Sequence, residues 1–327
     1  MEVTIAKREK IKIPILVTGA SGSGKTVSSL LIAKGIVEKM YPDLPSEDQW
    51  LKIAVIDTEH NRAKYYADSE IGGSQVGEFL HADFKPPYNA SELSIGISQL
   101  KEKGVEVIIL DSLTHMWSGD GGIQNQVDNL NKYSSKNSML AWGKVKPEIE
   151  KLFKLITDSS VFMICTARSK AGYDMEKNEA GKVIPVKIGL KPEIRDGWEY
   201  EFAINFNINQ DHSAEAIKDN TNMFNDFGVI NEETGHRIYE WSSQGIDMNK
   251  KRNELISRIE ELAKTNELRT VKFKGVYGAL NKEPLNEWPY SYLVTMVAEL
   301  EKLPDEGPVQ ETARETEEGN AFAHAQR

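Results

Sequence analysis

Residues 13–26 read IPILVTGASGSGKT, an apolar β-branched run that passes directly into a loop of glycine and serine. The apolar run predicts a short buried strand. Residues 27–34, VSSLLIAK, predict a helix that begins directly after the loop. The sequence therefore predicts a strand, a glycine-rich loop and a helix in immediate succession.

The loop follows the pattern Gly-x-x-x-x-Gly-Lys-Thr, the P-loop, and each residue type in it has a physical reason. Glycine lets backbone N–H groups converge on phosphate oxygens, because a side chain would block that approach or the backbone angles it needs. The following helix directs its N-terminal N–H groups and the positive end of its dipole at the same anion. We therefore expect a nucleotide to bind at Gly19, Ala20, Ser21, Gly22, Ser23, Gly24, Lys25 and Thr26.

Two of these residues and one distant carboxylate predict a magnesium–phosphate site. Lys25 supplies a cation for the outer phosphates, and the Thr26 hydroxyl can ligate Mg²⁺. Asp111 ends the apolar strand VIILD at residues 107–111, where a carboxylate can hold Mg²⁺ through water. The alternative for Asp111 is a strand-end aspartate that caps a turn.

Glu59 follows a second apolar strand, at residues 52–57. A carboxylate at the tip of a strand beside the P-loop strand can polarise an attacking water, so we expect Glu59 to act in hydrolysis. Two other functions stay open. One is a P-loop kinase for small molecules or nucleotides, and the other is a nucleotide-gated scaffold with negligible turnover.

The bulk composition of the 327 residues limits the class of protein. An apolar fraction of 39% and a charged fraction of 28% are typical of a globular protein in water. A formal net charge of −10 argues against coating of the whole surface by nucleic acid. Cys165 is the only cysteine, which excludes an internal disulfide and suits a reducing cytoplasm. There is no apolar run long enough for a transmembrane helix and no signal-peptide core, so we expect a cytoplasmic protein without a membrane partner.

Apolar strands alternate with amphipathic helices over the first half of the chain, which predicts an α/β fold with a mainly parallel sheet covered on both faces. Residues 172–181 are polar and flanked by glycine, which predicts a mobile loop. The strands expected after residue 183 follow one another without helices, which indicates an antiparallel extension of the sheet. We expect three parts: a core over 1–248, a helical module over 249–303 and an acidic, disordered tail over 304–327.

Four ordered motifs within residues 10–220 resemble the RecA family of ATPases. Asp57-Thr58-Glu59-His60 is similar to the Asp-Ala-Glu-His segment that carries the family's catalytic base. Seven residues after Glu59, Tyr66 matches a tyrosine of the family that stacks on adenine, which implies ATP as the nucleotide. Asp111-Ser112 is similar to the family's Walker B pair. Residues 163–172, MICTARSKAG, resemble the strand that leads into RecA's second DNA-binding loop.

The whole pattern looks most like the phage-encoded RecA-like ATPases of single-strand annealing and recombination, which implies the cytoplasm of a bacterial host. The resemblance assigns Thr166 to the position of a phosphate-sensing glutamine, from which the shorter threonine would reach the γ-phosphate only through a water. It assigns Lys218 to a cation that reaches the neighbouring subunit's γ-phosphate, although a solvent-facing lysine is an equal alternative. Lys218 in that role implies a homo-oligomer, as a ring or a filament.

Residues 168–195 hold seven basic and four acidic side chains on a chain that is otherwise acidic. A locally basic segment with an aromatic residue next to an ATP site suits single-stranded DNA, because phosphate neutralisation dominates affinity and bases stack on aromatic rings. The alternative is an ordinary surface loop of mixed charge. The expected DNA-binding residues are Arg168, Lys170, Tyr173, Lys177, Lys182 and Lys187.

Overall fold

The structure is a computed structural model that describes residues 5–133, 138–157, 160–177, 183–225, 228–280 and 282–304. For residues 171, 173–177 and 183–189, which lie in two strands, it describes the backbone alone. The chain divides into two units, Lys10–Gln244 and a smaller unit of Met1–Glu9 with Gly245–Arg327. The tail predicted over 304–327 lies outside the described residues except for Pro304, and the predicted domain boundary at 248–249 stays a prediction.

The larger unit is built on one main sheet and a separate two-stranded pair. The strands of the described chain are β1 (Ile15–Gly19), β2 (Ile53–Asp57), β3 (Ser69–Ile71), β4 (Ser74–Val76), β5 (Leu80–Asp83), β6 (Val107–Asp111), β7 (Phe162–Lys177), β8 (Val183–Pro192), β9 (Ile204–Ile208) and β10 (Ala214–Asp219). The order in the main sheet is β10-β9-β1-β7-β6-β2-β5, with β8 paired to β7 outside this row. Strands β3 and β4 form the separate pair.

Helices cover both faces of the main sheet. They are α1 (Lys25–Met40), α2 (Ser46–Trp50), α3 (Ala90–Glu102), α4 (Leu113–Ser118), α5 (Ile123–Tyr133), α6 (Ser138–Thr157) and α7 (Glu232–Ser242). Helices α1, α2 and α7 share one buried cluster with alternate strand residues such as Ile15 and Val17. Helices α3 to α6 share the cluster on the opposite face of the sheet. This cluster includes Leu16, the residue between Ile15 and Val17. In the described ranges, no helix combines the length and the apolar content needed to cross a bilayer.

The pairing of the strands confirms the predicted α/β fold with a mainly parallel sheet. Strand β1 is parallel to β7 on one side and to β9 on the other, and β6, β2 and β5 continue in parallel. The antiparallel extension is present as β10 on β9 and β8 on β7. However, β9 itself is parallel to the P-loop strand, which strand spacing along the chain does not reveal.

Two sequence expectations about strands are wrong. The strand that precedes Glu59 does not lie beside the P-loop strand, because β7 and β6 lie between β2 and β1. Sequential strands need not be neighbours when helical crossovers join them. The expected loop over 172–181 is largely strand, since β7 continues to Lys177 and pairs with β8. Strands β7 and β8 form a two-stranded ribbon outside the main row of strands. A polar segment can be a strand there, because its backbone groups form hydrogen bonds across the ribbon.

The smaller unit contains three α-helices in its described part, α8 (Met248–Leu262), α9 (Glu267–Ala279) and α10 (Tyr290–Glu301), and one short 3₁₀ helix, Leu285–Glu287. They enclose a core of Ile259, Trp288, Leu293 and neighbouring apolar residues. Buried Arg269 donates hydrogen bonds to the backbone carbonyls of Leu300 and Leu303, which joins α9 to the end of α10 and the residues after it. The predicted helical C-terminal region is thus present.

Candidate functional site

The glycine-rich loop joins β1 to α1 at the carboxyl edge of the parallel strands, as its sequence predicts. Gly22 and Gly24 have φ values of 81° and 98°, in the left-handed region that a side chain disfavours. Gly24 precedes the first residue of α1, so the free N–H groups of a 16-residue helix begin at the loop. This conformation offers backbone donors and a positive helix end to an anion.

Lys25, Thr26 and Asp111 come together at this edge. Lys25 Nζ donates to the Ala20 carbonyl at 2.8 Å, so the side chain folds back over its own loop. Thr26 Oγ1 donates to Asp111 Oδ2 at 2.6 Å, which joins α1 to the end of β6. The three residues predicted to bind phosphate and Mg²⁺ are therefore close together.

Burial shifts the pKa values of Lys25 and Asp111. Burial lowers the pKa of Lys25, although the charges of Asp111 and Glu59 act in the opposite direction. Burial raises the pKa of Asp111, while hydrogen bonds from Thr166 and Thr26 counteract it. A buried carboxylate of this kind favours a cation beside it, because opposite charge stabilises the ionised form.

The donor set fits Mg²⁺. The Thr26 hydroxyl and the Asp111 carboxylate are oxygen ligands, which Mg²⁺ prefers, and Mg²⁺ keeps most of its waters and needs one or two protein ligands. Within the described ranges there is no group of three or more histidine, cysteine or acidic side chains that would suit a dedicated metal cage.

Asp57, whose role the sequence did not indicate, shapes the turn that presents Glu59. Its buried carboxylate accepts a hydrogen bond from the Glu59 N–H at 2.6 Å and another from the Ala63 N–H at 2.9 Å. The Thr58 N–H donates to the Asp111 carbonyl at 2.7 Å, which ties the ends of β2 and β6 together. Glu59 therefore reaches the same cleft as Asp111 although its strand is not adjacent to β1.

The carboxylate of Glu59 is paired with Arg168, a contact that the sequence did not indicate. Arg168 Nε donates to Oε1 at 2.8 Å and Nη2 to Oε2 at 2.5 Å. Burial alone would raise the pKa of Glu59, but the hydrogen bonds and charge of Arg168 outweigh it and the pKa is lowered. Glu59 is thus ionised at neutral pH and fully engaged by the guanidinium.

One cleft of about 290 Å³ is lined by residues of the glycine-rich loop, by Lys25, Thr26 and Asp111, and by Arg168. Tyr66 also lines it, at the end of the short 3₁₀ helix Arg62–Tyr66, as expected for a residue near the nucleotide. Its stacking on a base stays a prediction.

His212 lines the same cleft from the turn between β9 and β10. Its Nδ1 lies 3.0 Å from the Ser23 carbonyl, so this nitrogen carries the proton and donates. No motif in the sequence marks His212, because its position depends on where β9 pairs with β1.

Two residues assigned by the resemblance have partners within the chain. Thr166 Oγ1 donates to Asp111 Oδ1 at 2.5 Å, so the hydroxyl orients the carboxylate in this arrangement. Lys218 Nζ donates to the backbone carbonyls of Tyr200 and Phe202. The roles of Thr166 at a γ-phosphate and of Lys218 at a neighbouring subunit stay predictions.

The expected DNA-binding residues separate into two places. Arg168 lies in the cleft, while Lys170 on the ribbon pairs with Glu193 at 3.3 Å. Along the ribbon the backbone places Tyr173 opposite Lys187 and Lys177 opposite Val183. Lys182 lies outside the described residues.

No curated protein sequence matches the chain. Among solved structures, a KaiC-like protein from the hyperthermophilic archaeon Pyrococcus horikoshii is similar at 13% sequence identity and a TM-score of 0.35, over 67% of this chain and 83% of that one. A family model described as an AAA domain, AAA_24, matches residues 11–208, which include the P-loop, Glu59, Asp111 and Arg168. The chain belongs to this AAA-domain family.

Proposed function

We propose that the protein is a Mg²⁺-dependent ATP hydrolase that acts on single-stranded DNA. The proposal of hydrolase activity rests on one observation. Lys25, the Thr26–Asp111 pair and Glu59 line the same cleft at the end of a P-loop. A cation for the phosphates, oxygen ligands for a divalent ion and an ionised carboxylate are the groups that hydrolysis of the β–γ phosphoanhydride bond of ATP needs.

Each residue has a distinct task in this proposal. The loop N–H groups and Lys25 bind the phosphates and oppose their charge. Thr26 and Asp111 would hold Mg²⁺, which neutralises charge on the phosphates when it is bound. Glu59 accepts a hydrogen bond from the attacking water and takes its proton.

The first experiment measures ATP hydrolysis by the wild type and three variants. Lys25→Ala is expected to abolish turnover by loss of nucleotide binding. Glu59→Gln is expected to lower turnover by about 10²- to 10⁴-fold while nucleotide binding persists, since the amide cannot take a proton. Glu150→Gln, an exposed residue of α6 with an ion-pair partner, is the matched control.

The rival functions give different results in that experiment. A scaffold would bind nucleotide with negligible turnover and show no effect of Glu59→Gln. A kinase would show turnover that depends on an added acceptor. Wild-type hydrolysis that Glu59→Gln leaves unchanged would contradict the proposed role of Glu59.

The DNA proposal is supported by the composition and the pairing of the ribbon formed by residues 169–177 and 183–192. Tyr173 pairs with Lys187, whereas Asp174 and Glu176 pair with Val186 and Ile184. Successive strand positions belong to opposite faces of a sheet, so the register groups the aromatic and basic positions apart from the acidic ones. Such a grouping suits a polyanion that also stacks bases.

The test is the salt dependence of binding to a fluorescent oligodeoxythymidine. Each phosphate contact contributes about 0.7 to the slope of log K against log salt for single strands. The double variant Lys177→Gln, Lys187→Gln is expected to lower that slope by about 1.4, if each lysine neutralises one phosphate. Lys146→Gln, at an exposed position of α6, is the control for loss of a positive charge outside the ribbon. Equal slopes for all variants would contradict the ribbon as the binding surface.

The resemblance to phage RecA-like ATPases extends the proposal to recombination, annealing or replication, carried out by a homo-oligomer. Lys218 is the residue proposed to act across the subunit boundary. Sedimentation with and without nucleotide tests the oligomer. Lys218→Ala mixed with Lys25→Ala tests the shared site, because a hetero-oligomer would regain turnover only if each subunit supplies the residue that the other lacks.

A further inference from the structure

The Arg168–Glu59 ion pair joins the residue proposed as the base to the strand that becomes the ribbon. Both carboxylate oxygens of Glu59 accept from one guanidinium, at 2.8 and 2.5 Å. The side chain of Glu59 is only 12% exposed, whereas that of Arg168 is 40% exposed. The guanidinium therefore lies between Glu59 and solvent.

Arg168 lies where β7 changes partners. Residues 162–165 of β7 pair with β6, and Arg168 pairs with Gly19 of the P-loop strand. From Ser169 onward β7 pairs with β8. The backbone N–H of Arg168 donates to Thr114 Oγ1 at 2.9 Å, and its carbonyl accepts from Glu193 N at 2.6 Å. The base of the ribbon therefore begins one residue after the partner of Glu59.

The pair restrains Glu59 chemically as well as sterically. A carboxylate that accepts two charge-assisted hydrogen bonds is a weaker base, because the bonds stabilise its ionised form. Arg62 approaches Glu59 Oε2 only at 3.7 Å and is 60% exposed, so it is the minor cation at this carboxylate. Arg168 is therefore the main constraint on Glu59.

We propose that Arg168 is a positioning residue that holds Glu59 in a weakly active state, and that a phosphodiester bound at the base of the ribbon takes over the guanidinium. Transfer of the guanidinium to a phosphate oxygen removes both charge-assisted hydrogen bonds from Glu59 and leaves the longer contacts from Ser112 Oγ to Oε1, at 3.4 Å, and from Arg62 to Oε2, at 3.7 Å. Glu59 is then available to accept a hydrogen bond from the attacking water. This inference rests on the proposed function. It specifies how polynucleotide binding raises the rate of hydrolysis at the same site.

The experiment measures steady-state ATP hydrolysis without DNA and with saturating oligodeoxythymidine. Arg168→Gln is expected to raise turnover without DNA on the order of tenfold and to abolish further stimulation, because the restraint is already gone. Arg168→Lys keeps the charge but loses the planar fork, so an intermediate basal rate is expected. Lys146→Gln is the control for loss of one positive charge.

The pH profile separates restraint from a merely structural effect. Without Arg168, burial remains as the main influence on Glu59, so the pKa of Glu59 rises and the acid limb of turnover moves to higher pH. A general loss of folding would lower the amplitude without moving the limb. The other titratable groups that interact with Glu59 stay in place in this variant and are Arg62, Tyr88, His115, Lys25 and Asp111.

The outcomes are distinct. A basal rate in Arg168→Gln as low as that of Glu59→Gln would overturn the proposal, because Arg168 would then be needed for the reaction itself. An unchanged basal rate and unchanged DNA stimulation would overturn it as well. Absence of hydrolysis in the wild type, with and without DNA, would instead contradict the proposed function.

Discussion

Asp111 is the residue on which the metal assignment depends. Its two oxygens accept from Thr26 and Thr166, so the carboxylate is oriented by one residue of the P-loop helix and one of a central strand. Both neighbours are hydroxyls, which can donate to Asp111 and still offer lone pairs to a cation. All three side chains thus offer oxygen atoms, the ligand type that Mg²⁺ prefers.

Asp111→Asn is expected to raise the Mg²⁺ concentration needed for half-maximal nucleotide binding by about 10- to 100-fold, since an amide carries no charge for the cation. Isothermal titration with a non-hydrolysable ATP analogue at several Mg²⁺ concentrations measures the change. Asp128→Asn on the exposed side of α5 is the control. An identical Mg²⁺ dependence would remove Asp111 from the metal site.

Substitutions at Gly22 and Gly24 distinguish the cost of backbone strain in the loop from the cost of a side-chain contact. Both have left-handed φ, but a Cβ at Gly22 meets nothing within 4 Å, whereas a Cβ at Gly24 would lie 3.2 Å from His212 Nδ1. Gly22→Ala is expected to weaken nucleotide binding by the strain of the loop alone, about 1–2 kcal/mol. Gly24→Ala should cost more.

The double variant Gly24→Ala, His212→Ala removes the contact and keeps the strain, and it also removes the His212–Ser23 hydrogen bond, so His212→Ala alone is its reference. Relative to that reference, its affinity, measured by the same titration, is expected to fall by about as much as Gly22→Ala lowers the affinity of the wild type. A fall as large as that of Gly24→Ala in the wild type would mean that the contact with His212 does not cause the added cost.

At the scale of elements, the P-loop helix α1 is held by α7 through two glycines. A Cβ at Gly35 would lie 1.9 Å from the Glu232 carbonyl oxygen, and one at Gly235 would lie 2.2 Å from the Ile32 carbonyl oxygen. The helices therefore approach backbone to backbone, closer than any side chain would allow. This contact fixes the helix whose first residue is Lys25.

Gly35→Ala is expected to lower the free energy of unfolding of the larger unit by about 3 kcal/mol, because backbone atoms cannot move aside as side chains do. Gly96→Ala in α3 is the matched control, since a Cβ there meets nothing within 4 Å. It should stabilise the unit by about 0.5–1 kcal/mol through helix propensity. Urea unfolding measures both, and equal effects of the two substitutions would refute the close crossing.

At the scale of the whole molecule, all residues assigned to the nucleotide belong to the unit Lys10–Gln244. A ligand that binds only the folded form stabilises it by mass action, about 2.7 kcal/mol at 100 times its dissociation constant. We expect an ATP analogue with Mg²⁺ to slow hydrogen exchange in this unit and to leave α8, α9 and α10 unchanged. The Lys25→Ala variant should show no protection in either unit.

The outcome that contradicts this expectation is equal protection of the helices in the smaller unit. Such a result would mean that nucleotide binding extends beyond the unit that contains the P-loop. The resulting change in the unfolding temperature of each unit, followed by calorimetry, would give the same distinction independently.

The sequence alone determined the P-loop, the nucleotide site, the carboxylates Asp111 and Glu59 and the α/β class. These depend on short runs of residues, because the spacing along the chain already dictates a strand, a turn of glycines and a helix. The predicted carboxylates lie at strand ends, which are local features too.

Tertiary structure decided the order of the strands, the pairing of Arg168 with Glu59 and the place of His212 over Gly24. Glu59 and Arg168 are 109 residues apart in the chain, and nothing in their local sequences indicates that they meet. Their contact exists because helical crossovers place β7 and β6 between β1 and β2, and register then sets which strand ends face each other. Local spacing therefore specifies the chemistry of the individual groups, whereas the topology of the sheet selects which groups interact.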